Sequence, residues 1–119
     1  MGKLATDAMI DGGLDKIATS VTYTICAGQP TSQADIAVRA LASKTISASD
    51  FTKANGDTSG RKVTVSQQSA ISITSNGVAD HVAIDDGVDY YVTTCTSQSL
   101  YSGGSVTGPA FDIEIGDPT

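Results

Sequence analysis

Apolar and polar residues alternate at period two along much of the chain, the pattern of strands that bury one face. From Val21 to Cys26, Val21, Tyr23 and Ile25 fall on one face and Thr22, Thr24 and Cys26 on the other, a half-buried strand closed by Ala27-Gly28-Gln29-Pro30. Leu41 to Ile46 reads as a short strand, and Arg61 to Gln67 as another with Val63 and Val65 inward. Ala70 to Thr74 places Ile71 and Ile73 on one face, and Val78 to Asp85 does the same with Val82 and Ile84. Between those two lies Asn76-Gly77, a dipeptide suited to the positive φ angles of a primed turn, so residues 71–84 are predicted to form a hairpin. Asp85-Asp86-Gly87 predicts a second tight turn, from which Tyr90 to Cys95 returns onto the preceding strand. Residues 53–60, with Asn55-Gly56, read as a loop, and Ser102-Gly103-Gly104 breaks the chain once more. Ala110 to Ile115 closes it, Phe111, Ile113 and Ile115 alternating against Asp112 and Glu114.

Helical spacing is confined to two places. In residues 5–19, Met9, Ile10, Leu14 and Ile17 recur at helical intervals, with Thr6 or Asp7 available as a cap and Gly12-Gly13 weakening the middle. One or two short helical pieces are expected there. Residues 31–38 predict a helical turn opening at Thr31 or Ser32, with Asp35 in its first turn. Many short strands punctuated by glycine turns, without a βαβ rhythm, predict a mostly β fold: an antiparallel β-sandwich or barrel-like domain with a short N-terminal helix. The expected division is an N-terminal helical arm over residues 1–20 and a β-sandwich domain over residues 21–119.

Composition narrows the function classes. A chain of 119 residues can bury roughly two-thirds of its extended surface, enough for one core. With no Trp, two Phe and four Tyr, that core must be built from Ile and Val. Serine and threonine make up about a quarter of the chain, and charged residues only 17%. The net charge of −6 and the scatter of the seven basic residues argue against direct nucleic-acid binding, which needs a basic patch. No apolar run reaches membrane-spanning length, and Met1 to Ile10 lacks the apolar stretch of a secretory signal, so synthesis and folding in a cytoplasm are expected. In a reducing compartment Cys26 and Cys95 are expected as buried free thiols.

Few residues suggest chemistry. His81 is the single histidine, mid-strand, with no Gly-x-Ser-x-Gly elsewhere to supply a nucleophile, and it reads as a polar surface or interface residue. Asp85, Asp86 and Asp89 share one loop but do not match the twelve-residue calcium loop, and they read as turn residues. Asp112, Glu114 and Asp117 alternate on the last strand. A glycosidase pair would need a cleft lined with aromatics, so charge protection of a sheet edge is the expected role. Gly12-Gly13 and Gly103-Gly104 lack the Lys-Ser or Lys-Thr of a phosphate loop. No catalytic, cofactor or metal residue is expected. Met9, Ile10, Leu14 and Ile17 are the candidate interface residues, able either to dock on a neighbouring subunit or to cover the open end of their own sandwich. The segment Gly116 to Thr119 is a second candidate arm.

Four stretches carry a resemblance: Phe51 to Val65, Asn76 to Asp85, Tyr91 to Leu100 and Gly108 to Asp117. In hairpin texture and short phrases they resemble small structural proteins encoded in tailed-bacteriophage genomes. The resemblance implies a virion component without enzymatic activity, assembled in the host bacterial cytoplasm. Its most natural role is a capsid decoration (cement) protein that bridges major capsid subunits, as a homo-oligomer that could be a trimer. It supplies no functional residues. A tail, neck or baseplate component, a carbohydrate-binding module using Tyr90, Tyr91 and Tyr101, and a small hydrolase are the competing readings.

Overall fold

The computed structural model describes residues 6–57 and 60–115; within the first helix the side chains of Asp7, Ala8 and Ile10 lie outside that description. In chain order the elements are α1 (Asp7–Ile17), β1 (Thr22–Cys26), α2 (Gln33–Arg39), β2 (Ala40–Thr45), a single 3-10 turn at Ala48–Asp50, β3 (Phe51–Asn55), β4 (Arg61–Val65), β5 (Gln68–Ser72), β6 (Gly77–Asp85), β7 (Tyr90–Leu100), β8 (Ser105–Gly108) and β9 (Phe111–Ile115). The pairings between named strands are antiparallel. One layer is a four-stranded sheet in the order β2-β1-β6-β7; opposite it lie a three-stranded sheet, β3-β4-β9, and the β5-β8 ribbon. The mostly β, sandwich-like architecture with a short N-terminal helix is as the alternation predicts.

The core lies between these layers. Tyr23, Ile25, Val82 and Ile84 from the first sheet meet Val63, Val65, Ile71, Val106 and Ile113 from the second layer in one buried cluster. The Tyr23 ring sits 6.4 Å from that of Phe111, and Tyr91 stacks on Phe111 at 6.4 Å and 9°. The Tyr23 hydroxyl donates to the Pro109 carbonyl at 2.8 Å, so the largest buried side chain also satisfies its polar end.

Helix α1 runs unbroken through Gly12-Gly13 because tertiary contacts hold it. Leu14 is 0% exposed and belongs to the central cluster, and Ile17 packs partly buried against it. Asp11 pairs with Arg61 of β4 at 3.0 Å, and Asp15 pairs with Lys53 of β3. The helix thus covers its own sandwich. Helix α2 is capped by Ser32, whose hydroxyl accepts from the Asp35 amide at 3.1 Å, and an Arg39–Asp35 pair staples its last turn to its first at 2.8 Å. It lays Ile36 on the outer face of the first sheet, against Cys26 and Ala83.

The predicted hairpin over residues 71–84 does not form. β5 pairs with β8, and β6 pairs with β1 and β7. Gly77 is not among the residues with positive φ, so Asn76-Gly77 makes no primed turn. The glycine serves close packing instead, since a Cβ there would lie 2.9 Å from Leu41 Cδ2. The Asn76 side chain accepts from the Ser102 amide at 2.7 Å and ties the crossover to the far end of β7.

Four further expectations change. Residues 53–55, predicted as loop, are the end of β3: the turn begins at Gly56, whose amide donates to the Gly60 carbonyl at 2.9 Å. β1 is buried on both faces from Tyr23 to Cys26 because α2 covers the side read as polar, while Val21 lies outside the strand at 48% exposed. β7 continues to Leu100 instead of ending at Cys95, and β8 appears where no strand is predicted.

Candidate functional site

Of the interface candidates, Leu14 is committed to its own core, Ile17 is partly buried and Met9 is 78% exposed; the side chain of Ile10 lies outside the described residues, as does the segment Gly116 to Thr119.

His81 Nδ1 lies 2.8 Å from Asp80 Oδ1, and the same carboxylate oxygen accepts from the Gly28 amide at 2.7 Å. Both contacts, His81 first, hold Asp80 below the usual carboxylate range. Directly across the ladder from His81 stands Cys26, a thiol–imidazole–carboxylate order that linear reading missed because the pairing of β1 with β6 is not visible in sequence. It is not a nucleophile site. Cys26 is 0% exposed, and burial pushes its thiol up to about 11, opposite to what an attacking thiolate requires. Cys95 faces the central core whereas Cys26 faces α2, and β6 lies between their strands, so the two thiols sit on opposite faces and stay free.

The acidic loop is spent on its own turn. Asp86 accepts from the amides of Val88 at 2.9 Å and Asp89 at 2.8 Å and from Lys16 Nζ at 2.6 Å; the lysine, then those amides, hold it well below its ordinary value. Asp85 accepts from Gln33 Nε2 at 2.7 Å and from the Gly87 amide at 3.1 Å. Asp112 takes the Thr64 hydroxyl at 2.6 Å and Lys62 at 3.4 Å, a cross-strand contact on β9, the edge of its sheet. Among the described residues no three His, Cys, Asp or Glu side chains gather as a metal would need. Nor is any helix among the described residues long and apolar enough to cross a membrane.

Five carboxylates held low set the acid behaviour. Asp35 (by Arg39), Asp50 (by the Ser47 amide), Asp80 (by His81), Asp86 (by Lys16) and Asp112 (by the Thr64 hydroxyl) are ionised in the fold at pH values where the unfolded chain begins to take up protons. A depressed folded pKa adds stability above the unfolded value, near 4, and that stability drains as pH falls below it. Thermal melts are expected to be flat between about pH 5 and 7 and to fall steadily below about pH 4; stability that rises on acidification would contradict this.

The surface also carries the long strand β7 and a cleft beside it. The cleft, of about 340 Å³, runs between β7 and the β8–β9 connection. Its floor is apolar, with Ile25, Ala79, Val82 and Val106; its rim carries Thr93, Thr96, Gln98 and Thr107; no lining residue is charged. Large exposed apolar side chains stand at both ends of the β6–β7 hairpin. Val21 (48%), Val88 (76%) and Tyr90 (42%) crowd the turn, while Val78 (54%) and Tyr101 (70%) stand at the open end. Tyr90 and Tyr101 therefore lie at opposite ends of one strand with Tyr91 turned inward, and the three do not converge into a stacking platform.

Comparison with protein-family models, with curated proteins and with solved structures gives no match to this chain in any of the three.

Proposed function

We propose that this chain is a non-enzymatic structural protein of a tailed-phage particle, a capsid decoration protein that bridges major capsid subunits. The observation that supports a bridging role is the distribution of exposed apolar side chains. Among the described residues five of the eight, Val21, Val88 and Tyr90 at the turn and Val78 and Tyr101 at the open end, stand in two groups at opposite ends of the β6–β7 hairpin, roughly 30 Å apart by the rise of its strands, while Met9, Val38 and Ile115 lie on α1, α2 and β9. Two separated apolar groups on a rigid sheet let one small body contact two neighbours, and burying apolar surface is what drives association between proteins. The resemblance of four stretches to small phage structural proteins supplies the particle. The titratable groups described above are engaged in turns, caps and ion pairs, which fits a passive scaffold.

Quantitative gel densitometry of purified particles tests the reading. A shell-bridging protein is expected in hundreds of copies per particle, and particles lacking it are expected to rupture at lower temperature or under milder osmotic shock. A handful of copies would instead favour a neck or tail component, and equal robustness with the protein absent from the shell would overturn the proposal.

A further inference from the structure

We propose that β7 is the contact between two copies of this chain, pairing antiparallel across a two-fold axis to make one continuous sheet of eight strands. On one side β7 pairs with β6; on the other, among the described residues, no strand pairs with it. The cleft reaches that open side. Successive residues of a strand point to opposite faces, so a cleft lined by Thr93, Thr94, Cys95 and Thr96 in unbroken succession must meet the strand along its edge, where unpaired amides and carbonyls lie.

Charge selects the occupant. Natural sheets guard free edges with charged side chains, prolines or bulges. β9, the edge of the second sheet, carries Asp112 and Glu114, β3 carries Lys53, β2 is crossed by the bridge from Ala42 to Ile73, and the uncharged ribbon strands β5 and β8 are only five and four residues long. β7 holds no charged residue and no proline over its 11 residues, in a chain of net charge −6. Two β9 edges brought together would oppose carboxylate to carboxylate, whereas two β7 edges meet without like charges.

The bulge in β7 limits the regular part. Thr94 to Gln98 spans four steps where β6 takes two, from His81 to Ala79, so Tyr90 to Thr94 is the segment with an even ladder. Its Tyr, Val and Thr residues favour an extended pleat. A strand added there sends alternate side chains toward the cleft and closes it over the exposed flank of the core. The pairing is isologous: each copy offers the same segment, and the assembly closes at two. It requires nothing of the virion proposal and stands or falls separately.

Sedimentation equilibrium of the full chain in reducing buffer tests it. The expected mass is twice 12.1 kDa at tens of micromolar, with β7 amide exchange slowing as concentration rises. Thr94→Lys, which charges the edge, is expected to raise the dimer dissociation constant at least about tenfold while circular dichroism stays native. Thr52→Lys, on the outer face of β3, is the control and is expected to leave the dimer intact. A chain that stays monomeric to about 100 μM, a trimer, or a dimer indifferent to Thr94→Lys would overturn the inference.

Discussion

Gly108→Ala is expected to destabilise the fold by about 3 kcal/mol, one of the two largest single-residue effects anticipated. A Cβ at this position would lie 2.5 Å from Tyr23 Cε1, 2.6 Å from its hydroxyl oxygen and 2.8 Å from Cζ. The ring has nowhere to go. It is 0% exposed, packed on Phe111 and tethered through its hydroxyl to Pro109. Relief must therefore come from β8 moving outward, at the expense of its ladder with β5 and of the packing beneath it. For a domain of this size the thermal midpoint is expected to drop by about 10 °C or more. Thermal and urea unfolding followed by circular dichroism check this, and Tyr23→Phe, which loses only the hydroxyl contact, is expected to cost about 1 kcal/mol. An unchanged midpoint for Gly108→Ala would mean that β8 does not rest on Tyr23.

Leu14→Ala is expected to cost about 3 kcal/mol and to loosen α1 before the sheets. Among the described side chains of the helix Leu14 is the fully buried one, and it reaches the central cluster that Val63 and Val65 share. The ion pairs of Asp11 and Asp15 reinforce the docking, but the exposed Asp15–Lys53 pair contributes about 1 kcal/mol or less, and much of the attraction in the part-buried Asp11–Arg61 pair is offset by desolvation. They cannot hold an eleven-residue helix on the sheet alone. Hydrogen exchange is expected to show the α1 amides losing protection in the variant at a stage when β6 remains protected. A helix whose exchange and midpoint ignore the substitution would be a detached arm, available to a neighbouring subunit.

The inward residues of β4, β6 and β9 were legible from period-two alternation, and the start of α2 from Ser32 and Asp35. Alternation reports which face a residue takes, not which strand lies beside it. Ile71 and Ile73 look the same whether β5 pairs with β6 or with β8, and Asn76-Gly77 favoured the wrong partner because its glycine is needed for contact with Leu41, not for a turn. β3 was hidden for a different reason. Its inward face carries Lys53 and Asn55, polar residues tolerated there because Asp15 answers Lys53 and Arg61 bonds to Asn55 at 2.9 Å. The two-sided burial of β1 follows from α2 folding back over it, a tertiary fact with no local pattern. The edge of β7 was overlooked because an uncharged Thr/Ser run reads as ordinary sheet until its open side is known.

The strand order has a consequence for how the protein is made. β1 finds its partner in β6 some sixty residues on (Thr22 opposite Asp85), and β4 waits for β9 at the far end, with Arg61 opposite Ile115. Only β1–β2, β3–β4 and β6–β7 join neighbouring strands, so closure entropy must be met before half of the ladders repay it, which slows folding. On the ribosome, Val63 and Val65 have no complete shelter until Ile113 has emerged. Until β9 arrives the nascent chain carries an uncovered apolar wall, and its yield in a cell depends on how quickly translation delivers that strand.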